Sequence, residues 1–141
     1  MTRTLLRALG LAGFLAVPGL VWAHGGPHPL QGEVSPSEAA AFALARPALE
    51  KHCFRCHSTA GGKGKRKALV HLDMTRYPFG GHHAAEAGAV VRAALGAGPD
   101  GARATMPKEE PGRVSGEALA RILKWADAFA AAHPVRAKHE H

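Results

Sequence analysis

Both cysteines of the chain lie in one short motif, Cys53-Phe54-Arg55-Cys56-His57. The spacing Cys-x-x-Cys-His is a pattern that attaches haem covalently to a protein chain. The two thiols add to the two vinyl groups on one side of the porphyrin, and the adjacent histidine is carried under the ring. There its imidazole nitrogen can bind the iron. The motif therefore predicts one covalent haem c, with Cys53 and Cys56 as attachment sites and His57 as an iron ligand.

Two cysteines also suit three other kinds of site. A thioredoxin-like redox pair needs a strand before the motif and a helix after it. Here a helix-like stretch precedes the motif and a Gly/Lys loop, 58–67, follows it. A zinc site would need two histidines a few residues apart, and His82 and His83 are adjacent. A disulfide is the default in an oxidising compartment, but His57 directly after the second cysteine favours haem attachment over all three.

The residues before the motif predict a helix that carries it. Ser35 is suited to cap this helix, Pro36 to occupy its first position, and Glu38 to complete a capping box. Good helix formers continue from 39 to 52, although Pro47 is expected to kink or restart the helix. The cysteine motif then stands at the end of this helical stretch.

Two further helices are predicted after the motif. The first covers 82–95 and is ended by Gly96, and the second begins at Ser115. In the second helix an apolar stripe recurs at helical spacing, formed by Leu119, Ile122, Leu123, Ala126 and Phe129. No segment alternates convincingly as a strand would. The pattern predicts an all-α domain of three or four helices, and wrapping a haem would explain its long loops.

The amino-terminal residues have the layout of a cleaved secretory signal, which predicts a periplasmic or otherwise exported protein. Arg3 and Arg7 form the basic start, an apolar run covers 8–20, and small or apolar residues end at Ala23. The run is shorter than the roughly 20 residues of a membrane span. The predicted division is a signal peptide at 1–23, a flexible lead-in at 24–34, the domain at 35–133 and a polar tail at 134–141.

Basic side chains outnumber acidic ones in this chain of 141 residues. It carries 18 Lys and Arg against 11 Asp and Glu, a formal charge of +7, and loss of Arg3 and Arg7 with the signal leaves +5. Export argues against nucleic acid as a partner. The excess favours redox partner proteins with acidic docking surfaces, and membrane association is expected only through such partners. One candidate contact is the basic loop cluster Lys63, Lys65, Arg66 and Lys67.

The chain resembles the mono-haem, class I type of cytochrome c over roughly 35–133. The resemblance is carried by His52-Cys53-Phe54-Arg55-Cys56-His57 at a helix end, by Ala104-Thr105-Met106-Pro107 in a late loop, and by a last helix at 119–129. It implies a small cytochrome c-like fold wrapped around one haem. The run Tyr77-Pro78-Phe79-Gly80-Gly81-His82-His83 departs from that family's pattern, and the resemblance assigns it no role.

The resemblance also implies a methionine as the sixth iron ligand, in a loop ahead of the last helix, where Met106 stands. Met106 lies 49 residues after His57, and Pro107 fixes the backbone beside it. Met74 lies only 17 residues after His57 and is expected to pack against the ring. The remaining sequence candidates for this ligand are His71, His82 and His83. Candidates for contacts to the haem propionates are Arg76, Tyr77, Arg92 and Trp125.

Iron bound by both His57 and Met106 has no position open for a substrate, so the sequence predicts a single-electron carrier and not an enzyme. A Met/His pair raises the reduction potential of haem iron. A second hypothesis is a haem with an open or displaceable sixth site, for peroxidase chemistry or gas binding, with His82 or His83 as the distal group. A third is a haem subunit or sensor module of a larger complex.

Overall fold

Helices joined by loops and short turns form the part of the chain that the computed structural model describes, residues 33–63 and 66–134. The α-helices are α1 (Pro36–Leu49), α2 (Arg55–His57), α3 (Arg66–His71), α4 (Ala87–Ala94) and α5 (Gly116–Ala132). Those residues contain no strand, and one isolated β-bridge joins Asp73 to Gly80. The predicted all-α class is confirmed.

Several sequence predictions concern residues outside the described ranges. The signal peptide predicted at 1–23 lies there, as do the lead-in up to residue 32 and the tail from residue 135. Among the described helices, none is both long and apolar enough to cross a membrane.

The start of α1 has its predicted cap but not its predicted capping box. Ser35 Oγ accepts the backbone N–H of Glu38 at 3.2 Å, and Pro36 occupies the first helical position. The carboxylate of Glu38 does not return to the backbone of Ser35. It is fully buried and accepts hydrogen bonds from Tyr77 and His133. The capping-box prediction is therefore wrong, because a buried network engages the carboxylate.

α1 passes through Pro47 and then widens into a π-helical turn at Glu50–Phe54. Proline has no N–H to donate, so one hydrogen bond of the helix is missing at Pro47. The helix nevertheless does not restart there. The irregularity is the π turn, which contains Cys53 and leads directly into α2. Single π turns inside helices are frequent at functional sites.

The apolar core forms where α5 packs against α1 and α4. Its largest fully buried apolar side chains are Trp125, Phe129, Ile122, Leu49 and Phe79. α4 comes close to α5 at Gly88, because a Cβ there would lie 2.7 Å from the carbonyl oxygen of Ala126. The predicted apolar stripe of α5 is confirmed, with Ile122, Ala126 and Phe129 buried. Ser115 stands at the N-cap of α5, but its side chain makes no capping hydrogen bond.

A buried hydrogen-bond network ties α1 to α5 and to the segment around Tyr77. The Tyr77 hydroxyl donates to Glu38 Oε1 and accepts from Trp125 Nε1 at 3.0 Å. At its other oxygen, Glu38 lies 3.1 Å from Nε2 of His133, just past the end of α5. Burial and the hydrogen bond to Glu38 raise the pKa of the Tyr77 hydroxyl, so that it stays protonated as a donor. The network thus fixes the start of the run Tyr77–His83 against the core.

Replacing Glu38 by alanine is expected to lower the free energy of unfolding by about 3 kcal/mol, because Tyr77 and His133 then lose their buried partner. Urea denaturation followed by circular dichroism measures the change. Glu117→Ala is the matched control, since the Glu117 side chain is 77% exposed and pairs with Arg121 on the surface. Exposed pairs contribute less than about 1 kcal/mol. Equal losses in the two variants would contradict the role of the network.

Candidate functional site

A cavity of about 740 Å³ opens between the cysteine motif, α3, α4 and the loop after α4. Its volume lies within the roughly 300–1,000 Å³ of pockets for cofactors and small molecules. Cys53, Cys56 and His57 line it from the motif, and Met106 lines it from the loop. The structure therefore brings all four predicted site residues to one cavity. A smaller groove of about 230 Å³ between α1 and α5 contains none of them.

The two cysteines are partly buried and are not joined by a disulfide. Burial, and after it the neighbouring Cys56, raise the pKa of the Cys53 thiol to about 12. A catalytic thiol of a redox pair needs the opposite shift, because the thiolate is the attacking species. The surroundings of Cys53 therefore disfavour the thioredoxin-like alternative.

The chain folds back over the motif directly after α2. Gly61 comes so close that a Cβ there would lie 2.1 Å from the carbonyl oxygen of Phe54. The buried hydroxyl of Ser58 accepts the Gly61 N–H at 3.2 Å. The Lys63 N–H donates to the carbonyl of Arg55, also at 3.2 Å. The first residues of the Gly/Lys loop thus pack directly against the backbone of the motif. Glycine is required at position 61, because a side chain there would collide with that backbone.

His57 is oriented by a main-chain carbonyl. Its Nδ1 lies 3.0 Å from the carbonyl oxygen of Leu72, just past the end of α3. A carbonyl only accepts hydrogen bonds, so Nδ1 is the donor in this contact and Nε2 is the nitrogen left to bind a metal. Histidines that bind metals usually have this arrangement, with the second nitrogen donating to an oxygen. The Met74 N–H donates to the carbonyl of His57 at 2.6 Å, which holds the same segment against α2.

Met106 lies in an irregular loop, as predicted, and the loop is tied to the end of α4. The N–H groups of Thr105 and Met106 both donate to the carbonyl of Ala94, at 2.9 and 3.0 Å. Gly96 makes this approach possible, because its φ is +75° and a Cβ there would lie 2.7 Å from the backbone nitrogen of Ala104. The end of α4 therefore sets the position of Met106 in the cavity wall.

Three of the four other sequence candidates for an iron ligand also line the cavity, namely Met74, His71 and His83. Met74 is buried within the wall. Desolvation and the neighbouring histidines at 82 and 83 lower the pKa of His71. His82 is exposed and does not line the cavity. His82 is thus the one candidate of the four that lies outside the cavity lining.

The cavity has apolar walls and an excess of positive charge. The larger aliphatic residues of its lining are Leu72, Val90, Val91, Leu95 and Val114. Its basic lining residues are Lys51, Arg55, Lys63, Lys67, Lys108 and Arg113, against Glu109 and Glu110. Six basic against two acidic side chains suit a ligand that carries two carboxylates. Of these six, the sequence indicates only Lys63 and Lys67, as part of the basic loop cluster, whose Lys65 lies outside the described residues.

The four residues predicted for the haem propionates do not line the cavity. Tyr77 and Trp125 belong to the buried network. Arg92 forms an ion pair with Asp127 of α5, and Arg76 is exposed. None of the four is therefore placed where it would face a ligand bound in this cavity. The basic residues that do line the cavity lie partly in loops, where no periodic pattern marks them.

The cavity walls combine two thiols, an imidazole with an available Nε2 and a thioether from a separate loop. Thiols in this motif are the groups that attach haem, and imidazole and thioether are common ligands of haem iron. The volume, the apolar walls and the basic side chains also suit a large apolar ring with carboxylate substituents. The residues present therefore fit a covalently bound haem. In comparisons with known proteins, no family model, no curated protein and no solved structure matches the chain.

Proposed function

We propose that the chain is an exported mono-haem c-type cytochrome that carries single electrons. The observation that carries the proposal is that Cys53, Cys56, His57 and Met106, drawn from two segments of the chain, line one cavity. A dithiol redox pair or a disulfide would require neither this cavity nor a methionine in its wall. A zinc site would require histidine nitrogens that converge on the two thiols, whereas the group of possible metal ligands that converges among the described residues contains neither cysteine.

When bound, haem supplies an iron that gains and loses one electron. Cys53 and Cys56 would each add an S–H across a vinyl group, forming one C–S and one C–H bond and expelling nothing. His57 would bind the iron through Nε2, because its Nδ1 is engaged by Leu72. Met106 would supply a thioether as a further ligand of the iron. With His57 and Met106 both bound, the iron would have no position open for a substrate, and the protein would act as a carrier.

The lining of the cavity favours a raised reduction potential. Apolar side chains such as Leu72, Val91 and Leu95 line the cavity and would keep water away from a bound haem. The surrounding basic side chains would balance the propionates and disfavour the additional positive charge of Fe(III). Burial, nearby charge and a methionine ligand all act on the potential of a haem. Here burial, the basic side chains and the methionine ligand would all raise the reduction potential.

The basic side chains also suit a redox partner with an acidic docking surface. Lys51, Lys63 and Lys67 are exposed and line the cavity, so a partner bound to them would lie close to the haem. Opposite charges on two proteins steer their encounter, and salt weakens this attraction. Export through the signal predicted at 1–23 would place this exchange outside the cytoplasm.

The proposal is tested by mass spectrometry of the protein produced with a haem-attachment system. After denaturation in acidified organic solvent, the protein is expected to have the mass of the apoprotein plus one haem, because thioether formation expels no atoms. If the signal is cleaved as predicted, the chain in that mass begins at His24. Haem that passes into the solvent, leaving the mass of the apoprotein, would contradict the proposal.

A second candidate function is a haem with an open or displaceable sixth site, used for peroxidase chemistry or gas binding. The observation that favours it is the presence of His71 and His83 in the cavity lining, where either can serve as a polar distal group. Reduced iron with an open site binds carbon monoxide, whereas a filled site does not. Carbon monoxide binding by the reduced wild-type protein therefore separates the two functions.

Gly96→Ala is expected to weaken the bond between Met106 and iron, because the added Cβ collides with the backbone of Ala104 and displaces the loop. The long-wavelength charge-transfer band of a methionine-bound ferric haem reports on that bond. Gly101→Ala is the matched control, since its φ of +63° gives similar strain but a Cβ there meets nothing within 4 Å. Each variant loses about 1 kcal/mol of stability through strain. An intact band in Gly96→Ala would contradict this prediction.

A further inference from the structure

Three histidines meet at the protein surface beside the cavity. His71 ends α3, and His82 and His83 follow the turn at Gly80 and Gly81. One ring nitrogen of each histidine lies within 4.8 Å of the other two. The ring centroid of His82 lies 4.4 Å from that of His71 and 4.2 Å from that of His83. His71 and His82 are exposed, so burial of apolar surface does not account for the cluster.

The backbone holds the two segments of the histidine cluster together. The His82 N–H donates to the carbonyl of Val70, and the His83 N–H donates to the carbonyl of His71, both at 3.0 Å. Gly81 has a φ of +87°, and a Cβ there would lie 2.8 Å from the carbonyl oxygen of His71. Only glycine permits this close contact. The approach of the three histidines is therefore set by the main chain and does not depend on chance side-chain positions.

The other end of the run Tyr77–His83 is fixed in the core. Tyr77 belongs to the buried network, and Phe79 is fully buried. Asp73 and Gly80 exchange two backbone hydrogen bonds, of 2.9 and 2.7 Å, which close the base of the loop. The first part of the run is therefore held in the core, and it positions His82 and His83 next to His71.

Glu86 orients one of the three rings. Its Oε1 lies 2.8 Å from Nδ1 of His83, which leaves Nε2 as the nitrogen available to a ligand. A carboxylate that holds the second nitrogen of a histidine is a frequent outer partner in metal sites, because it fixes the ring and raises its basicity. No other carboxylate of the described residues is paired with the cluster.

We propose that His71, His82 and His83 bind one divalent first-row transition-metal ion of the zinc or copper class at the edge of the haem cavity. Neutral imidazole is a preferred ligand of both ions, and three histidines with one open position form a known type of zinc site. Zinc–nitrogen bonds of about 2.0–2.1 Å require the three nitrogens to close in slightly. Exposed side chains can make this adjustment at little cost.

The proposed metal site has a consequence that rests on the proposed electron-carrier function. His71 and His83 line the haem cavity as well as the metal site. A doubly charged ion held there disfavours Fe(III) in the neighbouring haem and raises its reduction potential. Because linkage is reciprocal, the reduced protein then binds the metal more tightly than the oxidised protein.

Zinc is the probe of choice for the test, because it has no redox chemistry with haem. Calorimetric titration of the full-length holoprotein with Zn²⁺ counts the bound ions and gives their affinity. His82→Ala is expected to lose one bound zinc relative to wild type, and it leaves the lining of the haem cavity unchanged. Equal numbers and affinities in the two proteins would overturn the proposal, since any zinc would then be held elsewhere.

A second pair of variants tests whether the turn assembles the site. Gly81→Ala keeps all three histidines but forces Gly81 and His71 apart, and it is expected to weaken zinc binding by at least about tenfold. Gly112→Ala is the control, because its φ of +85° gives the same strain and a Cβ there meets nothing within 4 Å. Wild-type affinity in Gly81→Ala would overturn the assigned geometry.

Failure of the metal site and failure of the proposed function give different results. Zinc stoichiometry is measured without reference to haem, so a protein that lacks covalent haem still shows a His82-dependent site if the proposal holds. In the holoprotein, Zn²⁺ is expected to raise the midpoint potential of wild type but not that of His82→Ala. Equal shifts in the two proteins would contradict the placement of the ion at this cluster.

Discussion

The full-length protein carrying both Cys53→Ser and Cys56→Ser is expected to contain no covalently bound haem, whereas the wild-type protein is expected to keep its haem after denaturation. A serine hydroxyl is a much weaker nucleophile than a thiol and does not add to the vinyl groups. Extraction with acidified organic solvent, followed by mass spectrometry of the protein, measures the difference. The expected loss is complete, because no other cysteine exists in the chain.

Met106→Ala serves as the control for covalent attachment. It alters the wall of the same cavity but leaves both thiols in place, so its haem is expected to stay with the denatured protein. If haem were extracted from this variant as readily as from the double cysteine variant, the retention of haem would depend on the cavity as a whole. The assignment of Cys53 and Cys56 as attachment sites would then be wrong.

Met106→Ala is also expected to change the coordination of the iron. Removal of the thioether opens the sixth position, so the reduced variant binds carbon monoxide and the ferric variant loses the long-wavelength charge-transfer band. Met106→His keeps the iron six-coordinate but lowers the reduction potential, because imidazole favours Fe(III) more than a thioether does. Axial ligands and their surroundings move haem potentials over a range of about 0.8 V. Optical titration and potentiometry measure both effects.

Met74→Leu is the matched control for the sixth ligand, since Met74 also lines the cavity and is 2% exposed. Leucine has a similar volume, and such exchanges are usually tolerated. This variant is expected to keep the charge-transfer band and to exclude carbon monoxide. Ready carbon monoxide binding by wild type would favour the open-site function instead. An unchanged spectrum in Met106→Ala would move the ligand to Met74, His71 or His83.

The residues of the candidate site could be predicted from the sequence because their signals are local. Cys53, Cys56 and His57 form a motif of five consecutive residues, whose chemistry fixes the spacing. Met106 follows from the resemblance, which implies a methionine in a loop ahead of the last helix, and the apolar stripe of α5 marks that helix in the sequence. The structure places all four at one cavity.

Contacts between distant segments escaped sequence reasoning. Glu38 satisfies the local rule for a capping box, but its carboxylate bonds to Tyr77 and His133, which are 39 and 95 residues away. Burial of that carboxylate outweighs an exposed capping contact, because an unpaired charge in the core is costly. No local pattern distinguishes a glutamate with distant partners from one that caps its own helix.

The sequence does not mark the charged residues around the cavity, for a related reason. Residue type indicates Arg76, Arg92, Tyr77 and Trp125 as candidates, and type alone does not show which polar groups already have partners. Arg92 pairs with Asp127 across two helices, and this contact depends on how α4 and α5 cross. That crossing is set by the close approach at Gly88, which the sequence does not mark as different from the chain's other glycines.

The hydrogen bond that orients His57 comes from the peptide group of Leu72, and every amino acid supplies the same carbonyl. Point mutation at position 72 therefore cannot delete this acceptor, and can disturb it only by shifting the backbone. Under the proposed function, substitutions that alter the reduction potential would therefore act through the side chains around the haem and not through this hydrogen bond. Sequence variants of this chain are expected to differ in potential while keeping the orientation of the imidazole.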